Sequence, residues 1–207
     1  ALGSAIEDYS VSEDITAGYL MGRYETGTLL AIGGVRVERT SNELSGNTVL
    51  DAEPDVTVTP VSFARDYTHW LPSLTLRYAA QSDLILRGAA YRSLVRPRLS
   101  RLAPRFTINE DGEAEFGNPD LLPFEAWNFD GAVEYYMSSN GAITAGVFYK
   151  RVKNFEVLTR DGDPGSFNGI DYQEALIPIN GDAGDIFGIE ASFAQTFDML
   201  PAPFDGM

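Results

Sequence analysis

From Gly117 to Phe155 the chain reads GNPDLLPFEAWNFDGAVEYYMSSNGAITAGVFYKRVKNF. Within it Trp127, Phe129, Gly131, Val133, Tyr135 and Met137 alternate with Asn128, Asp130, Ala132, Glu134 and Tyr136. Successive side chains of a strand point to opposite faces, so the segment presents one aromatic-rich face and one that tolerates water. A Ser138-Ser139-Asn140-Gly141 turn leads into a second alternating strand. Two such faces suit a wall between lipid and water, the signature of a transmembrane β-hairpin.

Seven segments carry this character, at 14–25, 28–40, 67–79, 84–94, 126–138, 142–155 and 184–197. Short turns at Glu25-Thr26-Gly27, Ala80-Gln81-Ser82-Asp83 and Ser138-Ser139-Asn140-Gly141 alternate with long segments near 41–66, 95–125 and 156–183. Short turns at one end and long loops at the other are the pattern of an outer-membrane barrel, whereas a soluble sandwich spaces its turns more evenly. The expectation is an all-β fold: an antiparallel up-and-down meander spanning 1–207 as one partial barrel domain.

Other strands repeat the two-faced pattern. Trp70, Leu74, Leu76 and Tyr78 oppose Leu71, Ser73, Thr75 and Arg77; Leu84, Leu86, Gly88 and Ala90 oppose Arg87 and Tyr91, with Ile85 breaking the rule. Phe187, Ile189, Ala191 and Phe193 oppose Glu190 and Ser192. Pro72 counts against a strand, because it lacks a ladder donor; a strand start or a bulge would accommodate it. TLLAIGGVRVERT is apolar on both faces up to Arg36, so its periodicity is ambiguous.

Composition narrows the classes. The net charge of -15 argues against nucleic acid as a partner. The absence of Cys excludes disulfide frameworks and thiolate metal sites, and the single His, His69, removes most routes to a His-based metal site or a Ser-His-Asp arrangement. No apolar run is long enough for a membrane-spanning helix, which leaves β-strands as the only route across a bilayer. The first residues, ALGSAIEDYS, lack the basic and apolar parts of a signal peptide, and the chain reads as an internal piece of something longer.

The motifs in order resemble the barrel of TonB-dependent outer-membrane receptors. Asn118-Pro119-Asp120-Leu121-Leu122-Pro123, Asn128-Phe129-Asp130, Gly146-Val147-Phe148-Tyr149-Lys150 and Asn154-Phe155 carry the likeness. So do Gly33-Gly34-Val35-Arg36-Val37-Glu38, Leu71-Pro72-Ser73-Leu74, Leu86-Arg87 with Ala89-Ala90-Tyr91, and Phe187-Gly188-Ile189-Glu190. One departure is local: Phe124 stands where the family usually has Glu, and Glu125 follows one place later. The resemblance implies a partial segment of a transmembrane β-barrel of about 22 strands, toward its C-terminal part, without the plug domain or the final strands. It also implies active uptake of a scarce nutrient across the outer membrane of a Gram-negative bacterium, driven by TonB acting on the plug. Ferric siderophores are the commonest substrates of the family, and sugars come next. A piece with open edges is not expected to transport anything, and its unpaired edges invite self-association.

The candidate chemistry is concentrated after the fourth strand. Arg92, Arg96, Arg98, Arg101 and Arg105 form a basic cluster in an acidic chain. Arg96, Arg98, Arg101 and Arg105 are the candidate ligand-binding residues, suited to an anionic chelate or a phosphate. The alternative is ion pairing with Glu110, Asp111, Glu113 and Glu115 of the same loop. Asp161 with Asp163, and Asp182 with Asp185, are oxygen pairs of the kind Ca²⁺ uses, but they lack EF-hand spacing and read as solvated loop carboxylates. Asp130, Glu134 and Glu190 sit mid-strand, where a polar lumen explains them without catalysis. His69 reads as an interface or loop-base residue. No nucleophile motif, metal triad or phosphate-binding glycine loop points to an enzyme, and no cofactor or metal is expected. The competing reading is a soluble all-β module binding a ligand or carbohydrate, whose aromatic faces would be buried against each other.

Overall fold

The computed structural model describes residues 8–52, 55–108, 111–137 and 141–195. The expected turn residues 138–140, Glu110 and both chain ends lie outside the described residues. In chain order come β1 (Ser10–Glu25), β2 (Leu29–Ala52), β3 (Asp55–Ala79) and β4 (Leu84–Val95). A single helical turn, α1 (Leu99–Leu102), then precedes β5 (Phe106–Ile108), β6 (Glu113–Phe116), β7 (Phe124–Met137) and β8 (Gly141–Lys153). The short strands β9 (Glu156–Asp161), β10 (Gly165–Phe167), β11 (Ile170–Tyr172) and β12 (Glu174–Asn180) lead to β13 (Gly184–Gln195).

The long strands pair antiparallel in the order β1, β2, β3, β4, β7, β8, β13, so all seven predicted strands are present and form the predicted meander. The register lines up the outward side chains in rows. Leu74 pairs with Ala90, Ala90 with Phe129, Phe129 with Tyr149 and Tyr149 with Phe187. A second row joins Tyr78, Leu86, Val133 and Ala145. Trp70, Leu76, Trp127, Tyr135, Ile143, Ile189 and Phe193 are exposed on the same face, Trp70 at 58% and Phe193 at 63%. A continuous apolar face of this kind needs a nonaqueous partner. From Trp70 to Tyr78 and from Trp127 to Tyr135 the band has the length of a spanning β-strand, about 9–11 residues. On the opposite face Arg87 donates to Glu134 at 2.7 and 3.2 Å, beside Asp130 and Glu190. Ile85, which breaks the alternation, is buried on this polar side, in register with Glu134.

At 41–66, where the sequence predicts a long loop, the described residues are strand. The β2–β3 ladder runs without a break from the Leu29–Tyr78 pair to the Ala52–Asp55 pair. Ser41, Asn42, Ser45, Gly46 and Asn47 look like turn residues in sequence, but alternation persists through them: Thr40, Asn42 and Leu44 are buried while Arg39, Glu43 and Ser45 face out. The segments 95–125 and 156–183 are also folded, and they extend the sheet beyond β2 through β5, β6, β12 and β9. Here β5 runs parallel to β2, occupying the edge that β1 leaves vacant above Ser45.

Pro72 lies mid-strand, and backbone direction explains why it is tolerated. Ala79 N–H donates to Thr28 O at 2.8 Å, so odd-numbered residues of β3 direct their amides toward β2. The even-numbered Trp70 turns its carbonyl the other way, where Arg92 donates to it at 3.4 Å. Pro60 and Pro72 share that parity, so the missing N–H falls on the side away from β2. The β3–β4 ladder stops at the Ser73–Tyr91 pair, one residue below Pro72, while β4 continues along β7 to Val95.

Above the split, the loops enclose their own core. Phe106, Phe116, Tyr172, Ala175 and Ile177 are buried together, with Val61 and Phe63 of β3 packed against them. Phe106 is 2% exposed and stands edge-on to both Phe63 and Phe116. Leu44, Leu102 and Leu121 form a second cluster beneath α1.

Candidate functional site

Three of the four candidate arginines converge. Arg98, Arg101 and Arg105 line a cavity of about 150 Å³ together with Ser100, Glu115 and Gly117. Local chemistry produces the arrangement. One helical turn, closed by Arg101 N–H to Arg98 O at 2.8 Å and Ala103 N–H to Leu99 O at 2.9 Å, sets Arg98 and Arg101 at its two ends. Leu102, buried against Leu44 and Leu121, fixes the turn to the sheet. Ala103 and Pro104 then run between two glycines that leave them room. A Cβ on Gly46 would lie 2.6 Å from Pro104 O, and one on Gly117 would collide with Ala103 O. Gly117 N–H donates to Arg105 O at 2.8 Å and Asn118 N–H to Arg101 O at 2.7 Å, so this backbone sets the spacing of the two arginines.

Arg96, Arg101 and Arg105 also have partners on other elements. Arg96 forms an ion pair with Glu38 of β2, lies 3.8 Å from Glu13 and donates to Thr40 Oγ1 at 3.3 Å. It does not line the cavity. Arg101 reaches Glu156 of β9 at 3.5 Å, and the Arg105 guanidinium lies 5.9 Å from the centre of the Tyr9 ring. Arg96 and Arg101 thus meet acids on other elements, Glu38 and Glu156, rather than only the acids of their own loop.

Two polar centres were not anticipated from sequence. Glu125 fills the gap between β3 and β4, bonded to His69 Nε2 at 2.7 Å, Arg92 at 2.5 Å and Lys153 at 3.1 Å. His69 is therefore a buried partner of Glu125, at the base of the loops. The second centre joins the two long segments. Asn118, 7% exposed, donates through Nδ2 to Pro178 O at 2.9 Å and accepts from Asp120 N–H at 2.9 Å. Asn180 donates to Leu122 O at 3.0 Å and to Asn154 O at 2.9 Å, while its Oδ1 accepts from Leu122 N–H at 2.8 Å. An Asn-Pro pair is a turn signal, but the carbonyl it would capture is not visible in sequence.

Asp161 braces its own turn by accepting from Asp163 N–H at 3.3 Å and from the Tyr172 hydroxyl at 2.9 Å. The bond to Asp161 pushes the Tyr172 phenol up. Among the described residues no three acidic or histidine side chains converge on a metal-sized site. On the polar face of the sheet, Arg87, Asp130, Phe148 and Glu190 border a cavity of about 300 Å³ floored by Ala89, Ala132 and Gly146. A further cavity of about 370 Å³ is lined by Tyr9, Ser10, Ser45, Asn47 and Ser62.

Residues 3–205 match the family model described as TonB dependent receptor-like, beta-barrel. No curated protein matches the chain. Among solved structures, the chain is similar to the hemophore receptor HasR of Serratia marcescens, a double mutant in complex with its hemophore HasA and heme. The TM-score is 0.63 at 18% identity, over 87% of this chain and 31% of that one. The ferric-catecholate import receptor Fiu of E. coli K12 gives 0.58 at 15% identity, over 94% of this chain and 27% of that one. The alcaligin outer-membrane receptor FauA of Bordetella pertussis gives 0.53 at 16%, over 93% and 28%. At these identities the likeness is one of fold. The chain spans less than a third of the length of each of these structures.

Proposed function

This chain belongs to the TonB-dependent receptor β-barrel family, and from that premise we propose that its parent protein imports a scarce nutrient using energy delivered by TonB. Receptors of this family are outer-membrane β-barrels of Gram-negative bacteria, and the open sheet is part of such a barrel. The observation that carries the proposal is the division of the sheet into an exposed apolar face and a polar, ion-paired one. A soluble binding module would bury Trp70, Phe129 and Phe187 rather than leave them exposed.

A ferric siderophore is the preferred nutrient. Fiu is a ferric-catecholate import receptor by its description, and the pocket of Arg98, Arg101 and Arg105 suits the anionic oxygens of such a chelate. A sugar is the second reading, supported by the cavity lined with serines, Asn47 and Tyr9. TonB engages the parent through its plug region. The isolated chain is not transport-competent and pairs through the free edges of β1 and β13; a monomer by light scattering at high concentration contradicts that pairing.

The first test uses the full-length parent. Outer-membrane fractionation with a mobility shift on boiling supports the barrel, and a soluble periplasmic parent overturns it. Uptake of a labelled ferric siderophore, present in iron-limited cells and abolished by deleting tonB, then supports the transport reading. Growth rescue by a sugar alone selects the second nutrient.

A further inference from the structure

We infer that Asn118 is a positioning residue for the arginine pocket, and that the 156–183 segment sets the affinity of a pocket whose wall it does not form. The inference rests on the reading of Arg98, Arg101 and Arg105 as an anion site. Its warrant is a chain of bonds. The 117–118 backbone holds Arg101 and Arg105 through their carbonyls, at 2.7 and 2.8 Å. The same two residues cannot slide, because Gly117 already lies against Ala103 O. Their own position is fixed by the Asn118 side chain, whose amide is bonded to the Pro178 carbonyl of β12. Asn180 repeats the connection through Leu122, and Glu156 adds a third link to Arg101 itself.

Guanidinium groups bind an anion well only when their spacing is fixed before it arrives, since ordering long side chains costs affinity. Here the fixed point lies in the other segment. Occupation of the pocket and closure of the Asn118–Pro178 bond are therefore coupled, and each favours the other by the same factor.

The test is a double-mutant cycle on the full-length receptor in detergent, with ferric citrate as the probe and calorimetric Kd as the readout. Asn118→Asp keeps the acceptor for Asp120 N–H but sets an oxygen against the Pro178 carbonyl. We expect Kd to rise roughly tenfold, about the worth of one hydrogen bond, with the heat-modifiable barrel band unchanged. Combining it with Arg101→Ala and Arg105→Ala is expected to add little beyond the arginine changes alone. Full multiplication of the two effects overturns the inference, as does wild-type binding by N118D when the arginine variant has lost the probe. Wild-type binding by the arginine variant overturns the pocket reading on which the inference depends. Should N118D lose the folded band, Asn180→Ala cuts the neighbouring link between the segments, and the same outcomes decide.

Discussion

His69 and Glu125 share a hydrogen bond of 2.7 Å where β3 and β4 separate. Glu125 is the hub of this junction, since Arg92 and Lys153 converge on the same carboxylate and Arg92 also covers the Trp70 carbonyl. Without them, the gap would leave backbone groups of β3 unpaired close to the membrane band, where water is scarce. Glu125→Ala is expected to destabilise the parent by about 2 to 3 kcal/mol. That is less than the full cost of orphaning a buried ion pair, because Lys153 remains half in solvent. Denaturant midpoints of the refolded parent check it, and an unchanged midpoint contradicts the role given to this junction.

The two faces of β7 make opposite demands. Val133 points outward in the middle of the apolar band, and Ala132 points to the polar side. Val133→Lys is expected to cost about 2 to 4 kcal/mol of folding free energy in lipid vesicles. Ala132→Lys should cost much less, and equal costs would contradict the assignment of faces.

The loops have a core separate from the barrel wall. Phe106→Ala removes its central ring and is expected to cost about 3 to 5 kcal/mol. The loss should be local: proteolysis at 105–120 and 156–180 becomes fast while the heat-modifiable band persists. Simultaneous loss of both would show that loops and wall unfold together.

Tyr172 gives the loops a pH dependence. Its hydroxyl bond to Asp161 raises the phenol above its ordinary value, so the folded state favours the protonated form. The contribution is complete below a pH of about 10, the unfolded value, and is lost as pH rises through the raised folded value. The protection factors of β9 and β11, with base-catalysed intrinsic exchange divided out, should therefore fall only in strongly alkaline buffer, and Tyr172→Phe should abolish that step. A step that survives the substitution belongs to another group.

The long strands were legible because period-two alternation depends only on which face is wet. Trp127 to Met137 is the clearest case, and the placement of Glu134 on the polar face, where Arg87 reaches it, follows from it. The loops were not legible, for two reasons. Serine, asparagine and glycine at 41–47 are turn formers in isolation, yet here they continue a ladder, with Leu44 buried against Leu102 of α1 and Leu121. Strands of three or four residues, such as β5 and β10, are too short to show a period. Even so, Asn168-Gly169 joins β10 to β11 with both residues at positive φ, and that dipeptide is a strong hairpin signal in any sequence. The arginine cluster was visible as composition. Its division into Arg96, tied to β2, and the three pocket arginines depends on α1 and on Gly117, which no spacing rule reveals.

Pro60 and Pro72 carry a consequence for how this hairpin can change through descent. They lie an even number of positions apart, so both withhold a donor from the same side of β3. A single-residue insertion or deletion between them would turn one proline toward β2, break that ladder and reverse every side chain beyond it. Changes in pairs preserve both. The projecting arm of this receptor is thus free to lengthen or shorten between the prolines only in steps of two, and its relatives should differ there by even numbers.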